Sequence, residues 1–352
     1  GASDARPPGP WFGAIAFNPA RAPWPGFAPV RFFAPEILVW ENEGRRFVAA
    51  ISADRDASRE ALQARLDGAR RTLEQENAAA AAEPVRAGGG APFRDGRARW
   101  SALVDLALQR IHAGELSKVV VARSIDVLAS PRVATVLERL ERAYPSCRTF
   151  YLRGDKGPAF LGATPENFCS IDGVRLRTEA LAGSARPGEA AALLESAKDL
   201  REHEWVVQHI VSSLRNIAED VVSAPAPAVR ELANVAHLQT PISARLRPDA
   251  GLADVVAALH PTPAVGGVPA AAAVQFLDEH EQLDRGLYSG LVGFVGPGRA
   301  ELAVALRCAL VDHGIARLFL GAGIVDGSSA ESEWVETQLK ARALLDAFEG
   351  SA

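Results

Sequence analysis

Apolar positions along this chain recur with two periods, and the switches between them mark its elements. Leu103, Val104, Ala107, Leu108 and Ile111 have helical spacing, which predicts a helix from about Arg97 with Gly114 as its stop. The next run, SKVVVARSIDVL, reads as a strand whose period of two puts Lys118, Val120, Ala122 and Ser124 on one face. Further helices are predicted over 58–82, 131–143, 191–218 and 269–278. Strands are predicted in AFLGATPENF, HLQTPISARL (237–246), YSGLVGFVG, ELAVALRCALV and IARLFLGAGIV. Pro165 implies a bulge or strand end, with Glu166 at the break. Asp172-Gly173 and Asp312-His313-Gly314 are turn signals between strands. Residues 83–97, LAGSARPG and LHPTPAVGGVP (259–269) read as loops. The chain before residue 55 mixes Pro, Gly and aromatics with short apolar runs, as short strands with turns would.

Chemistry first enters this pattern at the C-terminal stretch GAGIVDGSSAESEWVETQLK. Ser328 and Glu331 have the spacing of a capping box, so a helix is expected to start there. Glu333, Glu336 and Lys340 then fall on one helix face. Two carboxylates and an ammonium behind a Gly-x-Gly strand end suit a divalent cation and an anionic ligand. For a lone E-x-x-E, a solvated helix face is the commoner reading. Asp199 and Glu202, three apart on the predicted 191–218 helix, form a second acidic pair. Along ELAVALRCALV, Arg307 is expected to share a face with Ala303, Ala305 and Ala309, leaving space for a bound carboxylate. An ion-paired or edge arginine fits that pattern equally well.

Composition narrows the classes. The 352 residues allow one large domain or two average ones, and 48% apolar content is ample for a core. A net charge of -5 leaves no basic footprint for nucleic acid. The apolar runs are too short to cross a bilayer and no signal peptide is recognised, so a soluble, cytoplasmic protein is expected; a monomer is expected as well. The three cysteines, Cys147, Cys169 and Cys308, suggest neither a disulfide framework nor a zinc site. Only four of 38 basic residues are lysines, at 118, 156, 198 and 340. In a chain that favours arginine, a retained lysine is a candidate for chemistry that needs a removable proton.

Nine ordered blocks carry a resemblance: SKVVVAR, FLGATPENF, TEALAGSARPG, KDLREHEWVV, HLQT, LHPTPAVGG, DRGLYSGLVGF, VALRCALV and GAGIV…ESEWVETQLK. Together, over roughly residues 97–346, they resemble the chorismate-utilising enzymes, which include isochorismate, salicylate, anthranilate and aminodeoxychorismate synthases. The resemblance implies an α/β fold of one large domain: a big mixed, mainly antiparallel sheet in two halves, with helices outside. It also implies Mg²⁺ held on the ring carboxylate of chorismate by Glu202 and Glu336, with Asp199 and Glu333 in support. Arg307 and Tyr288 match positions that hold the enolpyruvyl carboxylate, beside backbone N–H groups near Gly321 and Gly323. Gly183 and Ser184 match the loop facing the ring carboxylate, with Lys340 beside it. His237, Thr262 and Ala264 belong to other substrate-facing blocks. A dinucleotide reading of Gly321-Ala322-Gly323 is weaker, because no βαβ unit surrounds it.

Nucleophile choice divides that family. Lys118 matches the lysine that activates water in isochorismate and salicylate synthases, and Glu166 matches the acid that protonates the departing C4 hydroxyl. Burial is expected to push both pKa values toward neutrality, Lys down and Glu up. Leu181-Ala182-Gly183-Ser184 resembles the isochorismate-type sequence; ammonia-using relatives typically show P-I-A-G-T there. Ser184 stands for the commoner Thr, and Asn167 stands where Arg is frequent. The expected activity is Mg²⁺-dependent conversion of chorismate to isochorismate, for a quinone, a siderophore or another product. Rival readings are a salicylate synthase, which also eliminates pyruvate, and a catalytically silent binding protein.

Overall fold

The computed structural model describes residues 9–349 except 10, 22–23, 43–44, 55, 80–95, 129–131, 156, 186–187, 189 and 232–235. The N-terminal part forms β1 (Trp11–Ile15), β2 (Val30–Phe33), β3 (Ile37–Asn42), β4 (Arg45–Ala50) and α1 (Arg59–Ala79), the short strands and helix expected there. Most of the expected 83–97 loop lies outside the described residues. The first sharply periodic segment is α2 (Gly96–His112), closed by Gly114 at φ +76°, a left-handed stop that suits glycine. β5 (Lys118–Leu128), α3 (Val133–Ala143) and β6 (Arg148–Arg153) follow. AFLGATPENF is not one strand. Pro165 and Glu166 divide it into β7 (Ala159–Thr164) and β8 (Asn167–Asp172), after which the Asp172-Gly173 turn leads into β9 (Arg175–Ala185).

Three expectations need correction at this level. LAGSARPG is not wholly a loop: Leu181–Ala185 finish β9, in which Gly183 is an extra, unpaired residue where the ladder shifts register. The 191–218 helix is two, α4 (Ala190–Glu195) and α5 (Ala197–Leu214). Ser196 separates them because its hydroxyl caps α5, accepting from the Asp199 N–H at 3.2 Å. After β10 (Ala218–Ser223), β11 (Ala228–Glu231), β12 (Ala236–Leu246), α6 (Leu252–Leu259), β13 (Gly267–Val268), α7 (Ala270–His280) and β14 (Leu291–Gly296), the chain reaches ELAVALRCALV. This too is split, into β15 (Arg299–Val304) and β16 (Cys308–Asp312). Arg307 lies between them at φ +47°, so the alternation that aligned it with alanines does not apply. β17 (Ile315–Val325) and α8 (Ala330–Glu349) complete the order.

Every ladder among the described residues is antiparallel. One sheet has the order β10-β12-β9-β8-β15-β14-β1-β2, with β11 also on β12; a second runs β13-β5-β17-β16-β7-β6; β3 and β4 pair apart from both. Two neighbouring strand pairs therefore pass from sheet to sheet side by side, β7 into β8 and β15 into β16. The crossings are stitched by the Val304 N–H to Glu166 O at 3.1 Å and the Ala163 N–H to Arg307 O at 3.1 Å. Gly162 permits this approach, since a Cβ there would stand 2.6 Å from Arg307 O.

Helices cover the sheets where the apolar pattern predicts. Val206, Ile210 and Leu214 of α5 pack with Val255 and Leu259 of α6 on Leu176 and Ile242. Val136 and Leu140 of α3 join Leu344 and Phe348 of α8 over Leu161 and Leu318. Trp100 and Val104 of α2 and Phe276 of α7 meet Val119, Val121 and Ile324. That contact turns the other face of β5, Lys118 and Val120, into a cavity. The cap of α8 is Ser329, not Ser328: its Oγ accepts from the Ser332 N–H at 3.2 Å. Ser328 instead receives the Val325 N–H, and Glu331 pairs with Arg97. No helix among the described residues is long and apolar enough to cross a membrane.

Candidate active site

A cavity of about 290 Å³ opens beside the two crossings. Glu166 and Arg307, the residues at the strand breaks, both line it. Glu166 is buried, and burial together with the charge of Glu179 pushes its carboxyl up to about 8, against the opposing pull of Lys118, Arg307 and Lys340. Arg307 is held by its backbone in the left-handed region, and one η nitrogen is buried with no hydrogen-bond partner among the described residues. A buried guanidinium with an unused donor suits an incoming carboxylate. Tyr288 lies stacked on Phe319 at 5.3 Å between ring centres, and its hydroxyl would be 2.6 Å from a Cβ on Gly321.

The opposite wall pairs lysines with carboxylates. Lys118 Nζ is 2.7 Å from Glu202 Oε1, Lys198 Nζ is 3.3 Å from Glu333 Oε1, and Lys340 pairs with Glu336 while donating to Gly321 O at 3.0 Å. Glu333, Glu336 and Lys340 thus share the α8 face that their spacing predicts, and that face lines the cavity. Gly323 makes room for the first pair: a Cβ there would lie 2.8 Å from Glu202 Oε1 and 3.1 Å from Lys118 Cε. Asp199 also lines the cavity, its pKa raised by burial and by Glu202 despite the Ser196 hydrogen bond. Burial, with the charge of Glu336, pushes Glu333 up to about 7. Burial also pushes on Glu336, but the adjacent Lys340 ammonium outweighs it and holds that carboxylate low. All the described lysines therefore meet here; Lys156 is outside the described residues. Lys198 was missed as a site residue, although the scarcity of lysine was a signal that pointed to it.

The remaining sequence candidates fall around the same space. Gly183, at φ +75°, brings its carbonyl to His237 Nδ1 at 2.9 Å, which assigns the proton of the ring to Nδ1. Burial drives the His237 pKa down to about 3, so the ring is neutral. The side chain of Ser184 lies outside the described part of the structure. Ala264, Gly321 and Gly323 line the cavity; Thr262 does not. Thr262 is buried behind it, where its carbonyl accepts the Val265 and Gly266 N–H groups and turns Ala264 and Val265 toward the space.

Two antiparallel sheets joined by paired crossings thus gather an acid, an unpartnered guanidinium nitrogen and lysine-bridged carboxylates around one cavity. The chain belongs to the chorismate-binding enzymes, whose family model matches residues 5–349. It is 40% identical over 263 residues to the salicylate biosynthesis isochorismate synthase of Pseudomonas aeruginosa, covering 72% of this chain and 55% of that protein. It is 30% identical to the isochorismate synthase MenF of Bacillus subtilis, over 96% of this chain and 74% of that one. The chain thus spans about half the length of the first of these relatives. The structure of Escherichia coli MenF, a menaquinone-specific isochorismate synthase, superposes with a TM-score of 0.78 at 29% identity, covering 96% and 78% of the two chains. Anthranilate synthase component I from Streptococcus pneumoniae shares the fold, with a TM-score of 0.82 at 22% identity, over 97% and 82%.

Proposed function

We propose that this protein converts chorismate to isochorismate, adding water at C2 of the ring while the C4 hydroxyl leaves. The observation that carries the reading is that Lys118 and Glu166, a base and an acid for this exchange, line one cavity with Arg307 and four carboxylates. The names of the relatives support it, since those from Pseudomonas, Bacillus and Escherichia are isochorismate synthases. In this reading Arg307 and Tyr288 hold the enolpyruvyl carboxylate beside Gly321 and Gly323, and Gly183 and Lys340 face the ring carboxylate. Glu166, protonated at neutral pH, delivers its proton to the C4 oxygen as that C–O bond breaks. Lys118 takes a proton from the water that forms the new bond at C2. To act so it must be in the amine form, so the ammonium proton of the Lys118–Glu202 pair has to leave before water gives one up.

Magnesium is the cofactor we infer, with Glu202 and Glu336 as ligands and Asp199 and Glu333 in support. The donor set fits a hard cation: all are carboxylates, and burial together with mutual repulsion raises Asp199 and Glu333 even with lysines nearby. Among the described residues no three carboxylate, imidazole or thiol groups close around one point. Magnesium keeps water and substrate oxygens in its shell, so two protein ligands suffice. When bound, the ion offsets the charge of the ring carboxylate and orients the ring. Chromatography of the products from chorismate, with ammonium present and with or without Mg²⁺, tests the reading. Isochorismate formed only with Mg²⁺ is expected. Anthranilate or aminodeoxychorismate would overturn water as nucleophile, and salicylate with pyruvate would make the protein a salicylate synthase.

A further inference from the structure

Glu179, on β9, has no part in the roles given above, yet it is the most elaborately held carboxylate near the cavity. Its Oε1 accepts from the backbone N–H of Asn167 at 3.1 Å, and Asn167 is the residue that follows Glu166. The same oxygen lies 3.3 Å from Arg230 Nη1, and Oε2 accepts from Gln239 Nε2. Donors from the start of β8, from β11 and from β12 therefore converge on one side chain that is only 11% exposed. The bond to Asn167 has a backbone reason as well. The β8–β9 ladder pairs Ser170 with Arg177 and then stops, and the Asn167 N–H beyond it is satisfied by this side chain instead of by a strand.

The charged groups that face Glu166 come from four elements. Lys118 on β5, Arg307 at the β15–β16 crossing and Lys340 on α8 are cations, and Glu179 is the anion. The cations favour the ionised carboxylate; Glu179 and burial favour the neutral acid.

We propose that Glu179 is a positioning residue for Glu166: its fixed charge keeps Glu166 in the proton-donating form, and its bond to the Asn167 N–H holds the crossing from which Glu166 projects. This deepens the functional reading and rests on Glu166 being the acid. Glu179→Gln keeps the shape and an acceptor but removes the charge. The test follows the isotope-labelled carboxyl resonance of Glu166, assigned by its loss in Glu166→Gln, through a pH titration without substrate. The midpoint is expected to fall by about one pH unit in Glu179→Gln, a size ordinary for a neighbouring charge, and to return part of the way in Glu179→Asp. With chorismate, the alkaline limb of kcat should move down with it while KM stays within about twofold, because Glu179 touches no substrate in this reading. Arg230→Met, at a more exposed position, should move the midpoint up by strengthening the field of Glu179. An unmoved midpoint in folded Glu179→Gln overturns the inference, and should that variant not fold, an unmoved or lowered midpoint in Arg230→Met does so. Because the titration needs no turnover, a shifted midpoint without isochorismate would sink the functional reading and the acid's role with it, leaving only the hold of Glu179 on the charge of Glu166.

Discussion

Glu166 shows how much a single side chain carries at the residue scale. Its pKa near 8 lies far above the ordinary 4.5, so between those values the folded chain keeps a proton that the unfolded chain has lost. Stability from this group is therefore complete below about pH 4.5 and declines as pH rises toward 8. Urea denaturation should find Glu166→Gln more stable than the parent near pH 8 by on the order of 2–4 kcal/mol, with the gap closing in acid. Its turnover should nevertheless fall by about 10²- to 10⁴-fold, as for loss of a general acid. The parent's kcat should drop through the same alkaline range. Lys118→Arg makes the complementary test: arginine keeps the charge but does not serve as a base, so turnover at saturating chorismate and Mg²⁺ should be lost on the same scale. Near-native turnover would reduce Lys118 to an anchor and turn attention to His237. Gly323→Ala should also disable the site while leaving the fold intact, because its methyl would push into the Lys118–Glu202 pair; circular dichroism beside an activity assay separates the two effects.

Elements position these residues through bonds that no local pattern encodes. Arg285, just after α7, is buried and paired with Glu281; it donates to Val120 O at 2.6 Å and Val265 O at 2.9 Å. Glu281 in turn accepts the Ala122 N–H at 2.7 Å. One ion pair thus ties β5, next to Lys118, to the loop of Ala264 and to the turn that carries Tyr288. Removing one partner strands the other charge in the interior, so Arg285→Met should cost about 3–5 kcal/mol of stability in urea titration. Glu281→Leu/Arg285→Met together should recover part of that loss, since no unpaired charge remains.

Across the whole molecule, the site exists because two sheets exchange strands at one place. Acidic pairs from α5 and α8 reach it from one side, and the crossings supply Glu166 and Arg307 from the other. If those pairs hold Mg²⁺, Glu336→Gln should weaken Mg²⁺ binding measured by calorimetry in the presence of chorismate, and chelation should abolish turnover. Full activity after chelation would exclude the metal. Much of this was legible in the residues alone. Period and turn chemistry located α2, β5, β17 and the Asp172-Gly173 hairpin, because local sterics and one-sided burial act within a few residues. Spacing put Glu333, Glu336 and Lys340 on one face of α8, and the ordered blocks pointed to the family. Pro165 signalled the break at Glu166, but those at Ser196 and Arg307 were missed, and Lys198 and Glu179 were passed over as site residues. A break depends on which sheet claims the strand on either side. The state of a carboxylate depends on charges more than a hundred positions away, such as Lys340 against Glu166. Sequence patterns record what each segment prefers, whereas burial, long-range pairing and the summed field of distant charges arise only when the chain has closed on itself.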